Sequence, residues 1–311
     1  MKNMKMTAAM ILCTACGAVA AQATSIKVGV SASISNVSFY EAQDKGLFGP
    51  QHLVVAAQTV NSGSQAFPLL LNGQLAITAS DPLSALVAIS KGIPIVIVAQ
   101  GSAGQPTLDT DPTALLVKGD SAIRGGPDFE GKTIAINALN SLSQVSAQAA
   151  IDALGGNSKK VKFIEVPVPS MVAAVQRGQV DGAVTSEPFV TQARQSGLRV
   201  ALYPPTQGTP GIPQLLYVAS SAYAAAHPEV IRAFAVAMNQ ANAILAGNPD
   251  EIRRIGLTST KVPPAVLKTM RLPVFSSKSL DLATLKKLEE YMLKYGVLKA
   301  PLEVEKYVVR N

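Results

Sequence analysis

The sequence predicts an α/β protein with two lobes, and three features of the chain support this fold class. Short runs rich in β-branched residues alternate with longer amphipathic segments from residue 25 onward, which is typical of alternating strands and helices. Two proline-containing stretches, 105–112 and 204–213, interrupt this alternation. A short motif that begins at Gly73 occurs again from Gly178. Together these features predict two similarly built halves that face each other across a cleft.

The first part of the chain, before residue 105, alternates strands with helices. The predicted strands are Ile26–Val30, Leu53–Val60, Leu75–Thr78 and Ile93–Ala99, and the predicted helices are Val37–Phe48, Ala66–Leu71 and Pro82–Ser90. This order predicts a parallel sheet with helices on both faces and a binding site at the carboxyl ends of the strands.

The middle block repeats this alternation and, at about 100 residues, is long enough for a hydrophobic core of its own. Its predicted strands are Ala114–Val117, Thr133–Asn137, Val161–Val166, Ala183–Thr185 and Val200–Tyr203, and its predicted helices are Ser143–Leu154 and Ser170–Arg177. Beyond it, apolar residues recur at helical spacing behind Pro228 and from Leu282 to Tyr295. We therefore assign residues 24–112 and 214–311 to a first lobe and residues 113–213 to a second.

The repeated motif supports this duplication. Residues 73–82 read G-Q-L-A-I-T-A-S-D-P, and residues 178–188 read G-Q-V-D-G-A-V-T-S-E-P. In each copy a glycine ends a helix, a strand follows, and an acidic residue before proline opens the next helix. Since the copies fall in different predicted lobes, we expect the two lobes to be built alike.

Residues 1–23 have the pattern of an export signal. Lys2 and Lys5 precede an apolar stretch, and Ala21-Gln22-Ala23 provides a cleavage site. Both cysteines of the chain, Cys13 and Cys16, lie inside this segment. Cys16 lacks the preceding Leu-small-small triplet of a lipoprotein, so we expect an extracytoplasmic protein without a lipid anchor. The mature chain then contains no disulfide and no cysteine nucleophile.

The charge of the chain does not point to a polyanionic partner. Removal of Lys2 and Lys5 with the signal lowers the formal charge from +7 to +5. The remaining basic residues are scattered in pairs with acidic neighbours and without interleaved aromatic residues, unlike a nucleic-acid-binding surface. We therefore expect no nucleic-acid partner.

Motifs of the common enzyme classes do not occur in the sequence. There is no phosphate-binding G-x-x-x-x-G-K-[ST], no G-x-G-x-x-G after the first strand and no G-x-S-x-G. The two histidines, His52 and His227, have no metal-ligand spacing to each other. We expect no catalytic residue, no metal and no cofactor.

Small polar residues instead cluster after predicted strands and before predicted helices. Backbone N–H groups at a helix start bind anions, although the same residue types also cap helices. Glu187 differs from Asp81, because its longer side chain is a poor helix cap and is freer to meet a hydrogen-bond donor of a ligand, such as an amine or a ring N–H. The polar clusters include Ser33, Ser35, Asn36, Ser62, Ser64, Ser80, Asp81, Asn140 and Ser141.

Four segments carry a resemblance to a known family: Phe39–Phe48 (F-Y-E-A-Q-D-K-G-L-F), Arg177–Phe189, Leu215–Ser220 and His227–Glu229. The mature chain resembles the NMT1/THI5-like periplasmic substrate-binding proteins of ABC importers for nitrate, sulfonates, taurine and thiamine-precursor pyrimidines. The resemblance implies a type II periplasmic-binding-protein fold, each lobe a mixed sheet flanked by helices, with a small-molecule ligand in the interlobe cleft. It also implies a monomer whose partner is a membrane permease. By position, the resemblance places the candidate ligand contacts at Ser33, Ser35, Asn36, Ser62, Ser64, Ser80, Asp81, Asn140, Ser141 and Glu187.

The candidate loops hold few aromatic residues, so the sequence favours a small organic anion, such as a sulfonate or taurine-like molecule, over a flat ring. Two alternatives are a pyrimidine-precursor binding protein and an enzyme of the same fold related to thiamine-pyrimidine synthesis. A mature chain without cysteine argues against that enzyme. A third alternative, the ligand-sensing domain of a receptor or regulator, lacks its DNA-binding helix pair or membrane span in this sequence.

Overall fold

The computed structural model describes residues 23–60 and 63–309 of the chain. The predicted export signal, apart from Ala23, lies outside the described residues. Among the described residues, no helix combines the length and the apolar content that a membrane crossing requires.

The described residues form ten strands in two sheets. The strands are β1 (Thr24–Val30), β2 (Leu53–Thr59), β3 (Ile77–Ser80), β4 (Ile95–Gln100), β5 (Thr113–Lys118), β6 (Thr133–Ile136), β7 (Lys162–Glu165), β8 (Gly182–Ser186), β9 (Leu198–Leu202) and β10 (Leu216–Ser220). The first sheet has the order β2-β1-β3-β10-β4, and the second has the order β7-β6-β8-β5-β9. The chain thus leaves the first sheet after β4 and returns to it with β10.

The described residues also form twelve α-helices, which pack on the sheets or on other helices. They are α1 (Val37–Asp44), α2 (Gly63–Leu71), α3 (Pro82–Ser90), α4 (Leu142–Ala153), α5 (Val168–Gln176), α6 (Phe189–Gln195), α7 (Pro204–Gly208), α8 (Ser221–Ala226), α9 (Pro228–Leu245), α10 (Pro249–Ser259), α11 (Pro264–Thr269) and α12 (Leu282–Lys294). The predicted elements are present, with displaced ends. The first helix stops at Asp44 rather than Phe48, and the strand expected at 75–78 lies at 77–80.

The parallel sheet expected from the alternating elements is wrong, and the mixed sheets that the family resemblance implies are confirmed. β10 runs antiparallel to β3 and β4, and β5 runs antiparallel to β8 and β9. The segments 101–112 and 203–215, here called the first and second crossings, lead into these two strands. The other strands of each sheet end at the cleft between the sheets. β5 and β10 start at the cleft, so they run antiparallel to their neighbours.

The repeated motif occupies equivalent places in the two sheets. β3 and β8 are each third in their sheet, and each follows a glycine with a left-handed backbone, Gly73 (φ 76°) and Gly178 (φ 70°). That backbone conformation strains residues with a Cβ and favours glycine after a helix. The two sheets are therefore built alike, as the duplication predicts.

The first lobe contains the aromatic core of the chain. The rings of Phe48 and Phe234 stack with centroids 5.8 Å apart, and the ring of Tyr217 meets Phe234 edge-on at 5.3 Å. Phe39 is fully buried in the same cluster. Since these rings pack between α1, α9 and the first sheet, they stabilise that lobe and do not reach the cleft.

A buried carboxyl group joins α1 to α10. The side chain of Glu41 has no exposed surface, and its nearest cationic atoms are Arg254 Nη2 at 3.5 Å and Lys45 Nζ at 4.0 Å. Both cations lie closer to Glu251, at 2.8 Å each. Burial and the Glu251 carboxylate raise the pKa of Glu41 to about 7. Hydrogen bonds from Arg254 and Lys45 hold the pKa of Glu251 at about 2.

This arrangement predicts a pH dependence of stability. The pKa of Glu41 lies above its ordinary value of 4.5, so between pH 4.5 and 7 the folded protein holds a proton that the unfolded chain has lost. The free energy of unfolding should therefore fall as the pH rises through this window. Urea denaturation should show this fall in the wild type and a flatter profile in Glu41→Gln. Parallel profiles of the two proteins would contradict the assignment.

Candidate ligand-binding cleft

A cavity of about 490 Å³ lies between the two sheets, at the carboxyl ends of their strands. The first lobe contributes residues that follow β1 and β3, and the second contributes residues that follow β6 and β8. Both crossings also line the cavity, with Gln105 from the first and Gln214 from the second. The wall is therefore built from both lobes and from the two segments that connect them.

Helix starts supply one part of this wall. Asp81 caps α3 by accepting a hydrogen bond from the backbone N–H of Ser84 at 2.8 Å, and Ser141 caps α4 by accepting one from Gln144 at 3.4 Å. Gln65, in the first turn of α2, also lines the cavity. Helix starts carry partial positive charge, so this part of the wall favours an anionic group of a ligand.

Three carboxylates supply a second part of the wall: Asp81, Asp111 and Glu187. Asp111 is fully buried and accepts hydrogen bonds from the backbone N–H of Thr113 at 2.9 Å and from the hydroxyl of Thr206 at 2.7 Å. Burial raises the pKa of Asp111 and of Asp81, although their hydrogen bonds act in the opposite direction. These groups favour a cationic or hydrogen-donating part of a ligand.

The carboxylate of Glu187 is engaged within the protein. Its Oε2 accepts the backbone N–H of Thr191 at 2.9 Å, and its Oε1 accepts the Thr191 hydroxyl at 2.9 Å and the backbone N–H of Arg271 at 3.2 Å. The expectation that Glu187 is a poor helix cap is therefore wrong, because the side chain folds back onto the start of α6. The same bonds hold the carboxylate in place on the cavity wall.

Arg271 ties the C-terminal segment to both crossings. Its guanidinium lies 4.4 Å from the ring centroid of Tyr203 and donates to the carbonyl oxygens of Leu108, at 2.8 Å, and Asp111, at 3.3 Å. Together with its backbone bond to Glu187, these contacts join the first lobe, the second lobe and the first crossing. The position of Glu187 thus depends on a residue far along the chain.

Four of the candidate residues lie on the cavity wall: Ser35, Asp81, Ser141 and Glu187. The other described candidates are not among the residues that line it: Ser33, Asn36, Ser80 and Asn140. Ser62 lies outside the described residues, as does the side chain of Ser64.

The candidates that do not line the cavity make local contacts. Ser33 Oγ accepts from the backbone N–H of Ser35 at 3.3 Å, and Asn36 Nδ2 donates to Ser31 Oγ at 2.9 Å. Ser80 Oγ donates to the carbonyl oxygen of Asp81 at 3.1 Å. Asn140 has a left-handed backbone, with φ 54°. These side chains shape the loops that carry the wall.

The residues that the crossings contribute to the wall were not among the candidates predicted from the sequence. Ser102, Gln105, Asp111 and Gln214 line the cavity, although the proline-containing stretches appeared only as interruptions. Asn137 also lies on the wall, where its Oδ1 accepts the Ser143 hydroxyl at 2.7 Å. The signal that could have found the crossing residues is the presence of polar amide and carboxyl side chains next to a predicted interlobe connection.

The charged side chains among the described residues of the cavity wall are all acidic. None of the described residues that line it is Lys, Arg or His, and none is aromatic. In residues 23–60 and 63–309, no three His, Cys, Asp or Glu side chains are grouped so that they could hold a metal ion. The described wall combines helix starts and hydroxyls with carboxylates, which suits a small molecule that carries both signs of charge.

Comparison with known proteins gives one family. The model of the family described as NMT1/THI5 like matches residues 34–252. The chain is 30% identical over 237 residues to the taurine-binding periplasmic protein of Escherichia coli (strain K12), an alignment that covers 75% of this chain and 70% of that protein.

Solved structures with the same fold include two binding proteins. The alkanesulfonate-binding protein SsuA from Xanthomonas axonopodis pv. citri, bound to MOPS, matches with a TM-score of 0.74 at 20% identity, over 94% of this chain and all of that chain. The periplasmic nitrate-binding protein NrtA from Synechocystis PCC 6803 matches with a TM-score of 0.72 at 16% identity, over 92% and 86% of the two chains. With two mixed sheets, a cleft between them and a family match over most of its length, the chain belongs to the NMT1/THI5-like family and has the fold of the periplasmic substrate-binding proteins.

Proposed function

We propose that this protein is a periplasmic solute-binding protein that delivers a taurine-like aminosulfonate to an ABC transporter permease. The observation that carries the proposal is the composition of the cavity wall, where helix starts and hydroxyls stand beside three carboxylates and the described lining residues include no basic side chain. The 30% identity to a taurine-binding protein supports the same ligand class.

The wall suits a zwitterion for electrostatic reasons. A sulfonate group accepts hydrogen bonds from the N–H groups at the start of α4 and from hydroxyls of the wall, and it needs no basic side chain there. An ammonium group is attracted to the carboxylates of Asp81, Asp111 and Glu187. A simple anion such as nitrate would meet the helix starts but would also be repelled by the three carboxylates. We therefore favour an aminosulfonate over an inorganic anion.

Isothermal titration calorimetry with four ligands tests this function. Taurine should bind at least about tenfold more tightly than ethanesulfonate, which lacks the ammonium group, because hydrogen bonds to charged groups contribute about 1.5–3 kcal/mol. Ethylamine, which lacks the sulfonate, and nitrate should also bind more weakly than taurine. Equal affinities for taurine, ethanesulfonate and nitrate would contradict recognition of a zwitterion.

The proposal includes closure of the lobes about the two crossings, with the hinge near residues 105–112 and 204–213. Domain closure around a ligand draws the lobes together, so the radius of gyration should fall when the ligand binds. Small-angle X-ray scattering with and without taurine measures this change, and light scattering of the same samples tests whether the protein is a monomer. A radius of gyration that taurine leaves unchanged, at a concentration that saturates binding, would contradict closure.

A further inference from the structure

Two polar side chains of the first crossing are buried against the cavity without hydrogen-bond partners. Ser102 is 0% exposed and Gln105 is 3% exposed, and both line the cavity. Within the described part of the chain, neither the Ser102 hydroxyl oxygen nor either polar atom of the Gln105 carboxamide has a hydrogen-bond partner. Most buried polar side-chain atoms in folded proteins are paired, so three unpaired atoms at one place in a cleft require an explanation.

Backbone contacts prevent this segment from moving to relieve the unpaired groups. The carbonyl oxygen of Ser102 accepts the backbone N–H groups of Gln214, at 3.1 Å, and Leu215, at 3.2 Å. The N–H of Ala103 donates to the carbonyl oxygen of Val274 at 2.7 Å. The first crossing is therefore bonded on one side to the second crossing and on the other to the C-terminal segment.

A glycine contact next to Gln105 fixes the segment further. A Cβ atom on Gly104 would lie 2.5 Å from the carbonyl carbon of Gly211, so the two crossings meet backbone to backbone at this point. Gln105 follows directly from this contact. The backbone next to Gln105 is thus held by the second crossing and by the C-terminal segment, and the carboxamide lies at the wall with its donor and its acceptor both unused.

We propose that Ser102 and Gln105 form a subsite for the ligand and determine which ligand fits. The Gln105 Nε2 donates to an acceptor oxygen of the ligand, its Oε1 accepts an N–H of the same molecule, and Ser102 Oγ completes the set. This inference rests on the proposed function and adds a geometric requirement to it. The ligand must present a donor and an acceptor close together.

A two-carbon aminosulfonate meets this requirement when it folds about its central C–C bond. One ammonium hydrogen then lies beside one sulfonate oxygen, on the side that faces the carboxamide. A sulfonate without an amine offers only the acceptor and leaves Oε1 unpaired, which carries the cost of a buried, unsatisfied group. The subsite thus selects for the amine independently of the charge of the carboxylates.

The variant Gln105→Met tests the subsite in the full-length protein. Methionine has a similar length and no hydrogen-bonding amide, so it removes the unpaired atoms without leaving a large void. We expect the melting temperature without ligand to rise by about 2–4 °C, because a buried amide without partners no longer opposes folding. We expect the Kd for taurine to increase by at least about tenfold and the Kd for ethanesulfonate to increase less.

Gln214→Met is the matched control for the melting temperature. Gln214 also lines the cavity from a crossing, but its Nε2 donates to the carbonyl oxygen of Ile212 at 2.9 Å. Its replacement breaks an existing bond, so the melting temperature should fall rather than rise. Ser102→Ala serves as a second variant with little steric change, and it should raise the melting temperature slightly and weaken taurine binding.

The outcomes separate this inference from the proposed function. If the wild type binds taurine and Gln105→Met binds it equally well, the subsite is wrong and the function stands. If the wild type binds no aminosulfonate, the function is wrong, and the ligand-free melting temperatures still decide the inference. A rise in both Gln105→Met and Ser102→Ala supports an unpaired ligand subsite, and a fall in both overturns it.

Discussion

Replacing Asp111 by alanine should lower the free energy of unfolding by about 3–5 kcal/mol, because three hydrogen-bond donors lose their acceptor and each unsatisfied buried group costs about 1–3 kcal/mol. The side chain has no exposed surface and joins the two crossings. Its Oδ1 accepts the Thr113 N–H at 2.9 Å, and its Oδ2 accepts both the N–H and the hydroxyl of Thr206, at 3.0 and 2.7 Å. The variant leaves these donors unpaired in a buried place.

Urea denaturation of wild type and Asp111→Ala measures this loss. Asp109→Ala provides the matched control, since Asp109 is an exposed aspartate of the same crossing and its removal should change the free energy of unfolding by less than about 0.5 kcal/mol. If the two variants lose similar stability, Asp111 does not hold the crossings together. Asp111→Ala should also weaken ligand binding, because the residue lines the cavity.

Gly208→Ala should be the most damaging of the glycine substitutions near the cleft. A Cβ atom on Gly208 would lie 2.2 Å from the carbonyl oxygen of Ser146 and 2.5 Å from the backbone nitrogen of Ala150, both in α4. Backbone atoms of a helix cannot rotate away, so α7 must separate from α4. The separation would also break the 2.7 Å hydrogen bond between the hydroxyls of Ser146 and Thr209.

We expect a loss of at least about 3 kcal/mol in the free energy of unfolding of Gly208→Ala, at the upper end of the range for overpacking. Gly49→Ala is the control, because nothing lies within 4 Å of a Cβ atom at Gly49. Its stability should change by less than about 0.5 kcal/mol. A Gly208→Ala protein with the melting curve of the wild type would show that the α4–α7 contact can relax.

Most strands and helices of this fold could be predicted because local patterns determine them. The spacing of apolar residues indicates directly which side chains are buried in the strands β1 and β4 and in the long helices α9 and α12. The direction of β5 and β10 could not be predicted in this way. It depends on where the chain enters a sheet after crossing the cleft, which no local pattern records.

The same distinction between local patterns and distant packing applies to the candidate site. Asp81 and Ser141 could be predicted, since a helix cap stands at a fixed place relative to its helix. Gln105 could not, because its burial arises from packing against segments more than 100 residues away in sequence. The Glu187 carboxylate likewise meets the N–H of Arg271, a partner 84 residues later in the chain.

The strand orders of the two sheets show that the two halves of the chain exchange one strand each. Along the chain, β1–β5 and β6–β10 form two units of five strands, and the first four strands of each unit take the same positions in their sheets. The fifth strand of each unit fills the fourth position in the sheet of the other unit. This is the topology of a domain-swapped dimer contained within one polypeptide.

Neither lobe can therefore complete its sheet from its own unit. A chain cut between β5 and β6, in residues 119–132, would leave two fragments, each carrying a strand that belongs in the sheet of the other. We expect such fragments to fold only in association, so the two lobes form one cooperative unit despite the cleft between them.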